Sequence, residues 1–180
     1  MAPPDAFERA VARTIELETS GRADGAPHDD PADPGGATRW GIAQRSHPGV
    51  NVLALSRAEA VEIYRRQYWR PLKLDRVAAP EVACKLFDVS VNVGRRPAVK
   101  IAQRAVSWLR RSDGLLPLKA DGRLGPLTVA ALNRETDRRG PAELLAELRY
   151  EQRAYYRRIV SRRPASGRFA RGWSRRADAV

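Results

Sequence analysis

Residues 7–18 read FERAVARTIELE, and residues 33–42 read DPGGATRWGI. In the first stretch Phe7, Val11, Thr14 and Ile15 recur at helical spacing, which predicts an amphipathic helix. Asp5, after Pro3-Pro4, is its expected N-cap. Glu18 follows Phe7 by eleven residues, about three turns on. It therefore shares the face of Phe7, Val11 and Ile15, whereas Glu16 points nearly the opposite way. A carboxylate on a core-facing stripe is costly unless it is protonated or hydrogen-bonded, and a helix C-terminus disfavours negative charge. Both effects favour the protonated form, which a general acid requires. A last-turn glutamate paired with an arginine would satisfy the same position.

Working outward, the rest of the chain also reads as helices, with no alternating strand pattern longer than a few residues. The segment 19–37 is rich in Gly, Pro and Asp and poor in large apolar residues, so it reads as a long loop, with room for a short hairpin. A second helix fits 56–69, opened by a capping box from Ser56 to Glu59. A third fits 80–93, from Pro80 to the stop at Gly94. The fourth, about Pro97 to Arg111, is expected to bury Ala98, Ile101, Ala102, Ala105, Trp108 and Leu109. Two more fit 126–138 and 141–162, split by Gly140. In the basic tail from Pro164, Phe169 and Trp173 stand at helical spacing, which predicts a docked terminal turn or helix.

The chain has 180 residues, with 33 Lys plus Arg against 21 Asp plus Glu, a net charge of +12. Such an excess implies an anionic partner: nucleic acid, a membrane surface or the bacterial wall. The basic residues are spread over several helices and the tail rather than along one stripe, and no nucleic-acid motif is present, so a nucleic-acid partner is not expected. Cys84 is the lone cysteine and His28 and His47 the only histidines, which excludes an internal disulfide, a cysteine zinc cluster and a multi-histidine metal centre. No run approaches the roughly 20 apolar residues of a membrane span. The start, MAPPDAFERA, lacks the pattern of a secretory signal, so the expectation is synthesis in the cytoplasm and action elsewhere after release.

The second quoted stretch supplies possible partners for Glu18. Gly35 and Gly36 after Asp33-Pro34 permit a tight turn and a close approach of backbone to a ligand. Asp33 and Thr38 can then return toward Glu18, placing an acid, a second carboxylate and a hydroxyl in one cleft. That set suits glycoside hydrolysis, in which one carboxyl protonates the leaving oxygen and another helps water or stabilises positive charge. A glycine-rich turn capped by Asp33 is the purely structural reading. Tyr64, Tyr68 and Trp69 fall near one helical stripe, where rings either fill a core or stack on sugar faces. Asp88 and Asn92, four apart on an apolar helix, must find partners. They either tie that helix to neighbouring structure, the reading favoured for Asp88, or bind substrate.

These motifs together resemble the glycoside hydrolase family 108 lysozymes, N-acetylmuramidases of phages and bacteria. Phe7 through Glu18 resembles the opening helix that ends in the family's catalytic Glu. Asp33 to Thr38 with Gly41-Ile42 is similar to its Asp-Pro-Gly-Gly-x-Thr-x-x-Gly-Ile signature. Ala60, Ile63-Tyr64 and Tyr68-Trp69-Arg70-Pro71 resemble the helix that follows, and Phe87-Asp88, Asn92 and Gly94 its Phe-Asp-x-x-x-Asn-x-Gly segment. Asp121 to Thr128 resembles the segment usually labelled peptidoglycan-binding, and Phe169 to Trp173 with Arg176 the closing motif. Two departures stand out. Glu18-Thr19-Ser20-Gly21 replaces the usual Glu-Gly-Gly, and the loop to Asp33 is longer, so that Asp24, Asp29 and Asp30 share it.

The resemblance implies a mainly α, lysozyme-like, two-lobed helical domain with a long catalytic loop or short β-hairpin after the first helix. One domain over 1–180 is expected, with catalytic motifs in 5–94 and a helical region, 95–180, packed into it. The implied activity is cleavage of the β-1,4 bond between N-acetylmuramic acid and N-acetylglucosamine. Glu18 would be the general acid, Asp33 the second carboxylate and Thr38 a support for water or substrate, with Trp40, Tyr68, Trp69 and Asn92 lining the substrate. No metal or organic cofactor is implied; the partner is bacterial peptidoglycan, without stable membrane insertion, and the protein is expected to be a monomer. A lytic transglycosylase, a chitinase-like glycosidase and a non-catalytic wall-binding module are the alternatives.

Overall fold

A computed structural model of the chain describes residues 5–19 and 36–179. Helix α1, Ala6–Glu18, starts at Asp5, whose side chain accepts from the Glu8 N–H at 2.7 Å while Glu8 reaches back to the Asp5 N–H at 3.2 Å. This reciprocal cap satisfies two of the donors that every helix start leaves unpaired. Phe7, Ala10, Val11, Thr14 and Ile15 are buried, the face that the spacing predicts.

The chain divides into two compact units, Met1–Gln67 and Tyr68–Val180. After α1 the first unit has a short antiparallel hairpin of β1 (Thr38–Arg39) and β2 (Ile42–Ala43), with Thr38 opposite Ala43 and Arg39 opposite Ile42. Two single-turn 3₁₀ segments, Gln44–Ser46 and Val52–Ala54, lead on. The Gln44 amide organises them: it donates to the carbonyls of His47 at 3.0 Å and Val50 at 2.8 Å and accepts from the Val52 N–H. Helix α2, Arg57–Tyr64, starts at the expected Ser56–Glu59 capping box. It continues through a π turn, Arg65–Trp69, into the short α3, Arg70–Leu72.

In the second unit α4 (Pro80–Val93), α5 (Arg95–Ser112), α6 (Pro126–Arg139), α7 (Pro141–Arg162) and α8 (Ala170–Ala179) form a helical assembly. α7 packs against α4, α5, α6 and α8. Its buried positions, Leu144, Leu148, Gln152 and Tyr156, recur every four residues along one stripe. α4 packs on α5 and α7, so this helix, grouped in the sequence with the catalytic motifs, belongs to the second unit. Gly94, at φ 87°, ends α4 and opens α5. α5 starts two residues earlier than expected because Pro97 falls in its first turn, where the N–H that proline lacks would have had no intrahelical acceptor.

One core assignment needs correcting. Trp108 is 61% exposed. The buried stripe of α5 is centred on Ala98, Ala102, Ala105 and Leu109, and position 108 lies on its margin. Among the described residues, no helix is long and apolar enough to cross a membrane.

Candidate active site

Glu18 is half-buried at the last position of α1. The helix ends at Thr19, whose N–H and hydroxyl both donate to the Ile15 carbonyl at 2.9 Å. Glu16, on the other side of the helix, is exposed and pairs with Arg13 at 2.6 Å.

The register of the hairpin leaves Trp40 and Gly41 as a two-residue turn with φ of 54° and 77°. Two positive φ values define a type I′ turn, whose twist matches that of the strands it joins. A tryptophan adopts this conformation only when its surroundings hold it there. Here its indole N–H donates to the Leu55 carbonyl at 3.0 Å, and its own carbonyl accepts from the Tyr64 hydroxyl at 3.1 Å. Gly41 then lies directly against Glu18. A β-carbon on Gly41 would stand 2.6 Å from Glu18 Cβ and 2.6 Å from the Tyr64 hydroxyl oxygen. Glu18, Gly41 and Tyr64 thus form one cluster in which hairpin tip, helix end and buried phenol fix one another.

Thr38 sits in β1, half-buried, with its hydroxyl donating to the Gly36 carbonyl at 3.3 Å. Asp33, together with Asp24, Asp29 and Asp30, lies outside the described residues. Trp40 is buried beneath the hairpin, so its ring serves to anchor the turn rather than to present a face to a sugar. Tyr68, Trp69 and Asn92 belong to the second unit. Trp69 is also buried, with its N–H donating to Asp75 at 2.6 Å and its ring edge-to-face with Phe87; it packs as core. Tyr68 is half-buried and meets the same Phe87 edge-on, 6.4 Å between centroids. Asn92 accepts from the Tyr156 hydroxyl at 2.7 Å, and that hydroxyl accepts from Gln152 at 2.7 Å. Asp88 is buried and pairs with Arg176 at 2.8 Å, which ties α4 to α8.

Gly41 and Tyr64 were quoted in the sequence motifs without a role at the Glu18 site. The one visible signal was Gly41, a residue that tolerates a positive φ, since a tryptophan at the preceding turn position carries no hairpin signal. The motif Asp121 to Thr128 finds a structural explanation in Gln103 of α5. The Gln103 amide donates to Asp121, the Arg123 carbonyl and Thr128, and its oxygen accepts from the Gly122 N–H. That amide, followed by the Arg123 N–H, holds the Asp121 carboxyl below the usual carboxylate range.

Residues 19–94 match the family described as Glycosyl hydrolase 108, and residues 97–178 match the Predicted Peptidoglycan domain. The first match begins one residue after Glu18. The solved structure of Brucella abortus SagA is similar at 26% sequence identity and a TM-score of 0.68, over 96% of this chain and 89% of that one. No curated protein matches. Helical fold, hairpin and family matches define a glycoside hydrolase of the lysozyme type. More particularly, the chain joins a segment that matches glycosyl hydrolase 108 to one that matches a peptidoglycan domain, and it is a peptidoglycan-acting glycosidase.

Proposed function

We propose that the protein is an N-acetylmuramidase that cleaves the β-1,4 bond between N-acetylmuramic acid and N-acetylglucosamine, with Glu18 as general acid. The observation that carries this reading is the close packing of Gly41 against the Glu18 side chain. A general acid must be held within hydrogen-bond reach of the leaving oxygen, in a site that partly excludes water. A half-buried glutamate whose stem is held between a helix end and a strained turn meets that demand; the exposed Glu16, paired with Arg13, does not. Asp33 is the proposed second carboxylate and Thr38 the hydroxyl that supports water or substrate.

Digestion of purified peptidoglycan by wild type, Glu18→Gln and Glu16→Gln, followed by mass spectrometry of the products, tests the assignment. Glu18→Gln is expected to fold normally and lose nearly all turnover, while Glu16→Gln keeps most of it. The products should carry new reducing N-acetylmuramic acid ends. Anhydro ends would identify a transglycosylase instead, and equal losses from both substitutions would remove Glu18 from its role.

A further inference from the structure

α5 and α7 line an open cavity of about 440 Å³ that the chemistry above does not use. Its wall carries five cations: Arg96, Lys100 and Arg104 four residues apart on α5, and Arg158 and Arg162 four apart on α7. Pro97, Tyr155 and Ile159 complete it with apolar and aromatic surface. Like charges four apart on a helix repel, and several other arginines of this unit are paired: Arg138 and Arg139 with Asp113, Arg153 with Asp178, and Arg176 with Asp88. Here, among the described residues, Arg96, Lys100, Arg104 and Arg162 make no ion pair. Glu151 approaches Arg158 only to 4.0 Å, and one nitrogen of the Arg158 guanidinium is buried without a hydrogen-bond partner. Burial, and then the nearby Arg104, weaken its hold on its proton relative to an ordinary arginine. The cluster is organised nonetheless, because the turn at Gly122 rests on the stems of Arg96 and Lys100, closely enough that a β-carbon there would lie 2.6 Å from Arg96 Cγ.

We propose that this cavity binds the acidic stem peptide of peptidoglycan through its carboxylates. The proposal rests on the reading of the chain as peptidoglycan-acting, and it gives the peptidoglycan domain, matched over residues 97–178, a specific site. Arginine forks bind planar carboxylates in a bidentate manner, and four of the five cations are arginines. The apolar wall suits the methyl and methylene groups between successive carboxylates of such a peptide. The volume lies in the range of small-ligand pockets, roughly 300–1,000 Å³. A single-stranded nucleic acid would instead call for a continuous basic groove with stacking rings along it.

The test is calorimetric titration of the full chain with N-acetyl-L-Ala-γ-D-Glu-meso-diaminopimelate, which carries three carboxylates and no glycan. The same peptide with its carboxylates amidated, poly(glycerol phosphate) and a short single-stranded oligonucleotide are the comparators at equal ionic strength. The acidic peptide should bind, and amidation should weaken it by about tenfold or more. The double variant Lys100→Gln/Arg104→Gln should lose a similar factor, Arg162→Gln alone a smaller one, and Arg171→Gln on α8 nothing. Arg162 is exposed near the end of α7, so its variant keeps the test decisive if the double variant does not fold. Unchanged peptide binding in the folded variants, equal binding of the amidated peptide, or tighter binding of either phosphodiester polymer would overturn the proposal. Failure of the activity is separately visible: wild type that binds the peptide but leaves peptidoglycan uncut would sink the muramidase reading and leave this site standing.

Discussion

Gly41 and Glu18 are in contact so close that no side chain fits between them: a β-carbon on Gly41 would lie 2.6 Å from Glu18 Cβ and 2.9 Å from Cγ. The relationship ties the position of the carboxylate to the conformation of the hairpin. At φ 77°, Gly41 also occupies a region that other residues adopt only under strain.

Gly41→Ala should therefore act on stability and turnover together. Overpacking against Glu18 and Tyr64 and the left-handed backbone each oppose the substitution, and the expected loss is about 2–3 kcal/mol. Urea unfolding measures the first effect and peptidoglycan digestion the second. A variant as stable and as active as wild type would show that the tip of the hairpin does not constrain Glu18.

Tyr64→Phe removes the hydroxyl that satisfies the Trp40 carbonyl while leaving the ring in the core. An orphaned buried carbonyl costs about 1–3 kcal/mol. Thermal unfolding should show that loss, with turnover falling further than stability because the turn that positions Glu18 is loosened. Loss of stability with turnover at the wild-type level would confine Tyr64 to packing.

The helices were legible because each carries its own punctuation. Asp5 and Ser56 cap, Pro80, Pro126 and Pro141 open, and Gly94 and Gly140 separate helices, all within a few residues. Glu18 was legible as the odd polar residue on an apolar stripe. The contacts of Gly41 and Tyr64 were not, because they join residues far apart in sequence through backbone geometry that no periodicity encodes. Trp69 stayed open between core and sugar contact, and Trp40 was a substrate contact only by resemblance, because composition does not tell an aromatic that faces a ligand from one whose N–H is consumed by Leu55 or Asp75. Asp88 resolved toward structure, through a partner, Arg176, in the closing motif.

That pair gives a stability prediction. Asp88 is buried and Arg176 nearly so, and removing one partner of a buried ion pair strands the other, at about 3–5 kcal/mol. Arg176→Ala and Asp88→Ala should each lower the denaturation midpoint by that equivalent, and the double variant should lose less than the sum. Strict additivity in the double-mutant cycle would show that the two groups do not interact.

Lys85 gives a pH dependence. Its ammonium is buried and donates to the Ala177 carbonyl at 2.8 Å, and burial lowers its pKa from 10.5 to about 8, against the upward pull of Asp88. Between those values the unfolded chain holds the proton more tightly than the folded one, so folding stability rises with pH across the window and is flat below it. The full rise amounts to about 3 kcal/mol. Tyr156, pushed up to about 12 by burial, works in the opposite direction above its ordinary 10.0, so the range from pH 8 to 10 isolates the lysine. Chemical denaturation of wild type and Lys85→Met across that range should show a rise in the first that is absent from the second. Parallel curves would show that Lys85 keeps its ordinary affinity for protons in the fold.

The last prediction concerns the net charge of +12. Peptidoglycan and its attached polymers are polyanionic, so this charge should concentrate the enzyme on the wall through long-range attraction. Salt screens such attraction over about 8 Å at physiological ionic strength and about 3 Å at 1 M. Binding to sacculi should therefore weaken steeply with salt, whereas turnover of a short neutral glycan fragment should change far less, since contacts inside a cleft do not depend on the overall field. Arg171 and Arg175 are exposed on α8, while Arg176 of the same helix is engaged with Asp88. Reversing the first two, Arg171→Glu with Arg175→Glu, should reproduce part of the salt effect on sacculi without unfolding the chain. Equal salt sensitivity for fragment and intact wall would mean that the basic surface does not target the enzyme, and the excess of arginine would then have to be explained by local contacts such as those lining the α5–α7 cavity.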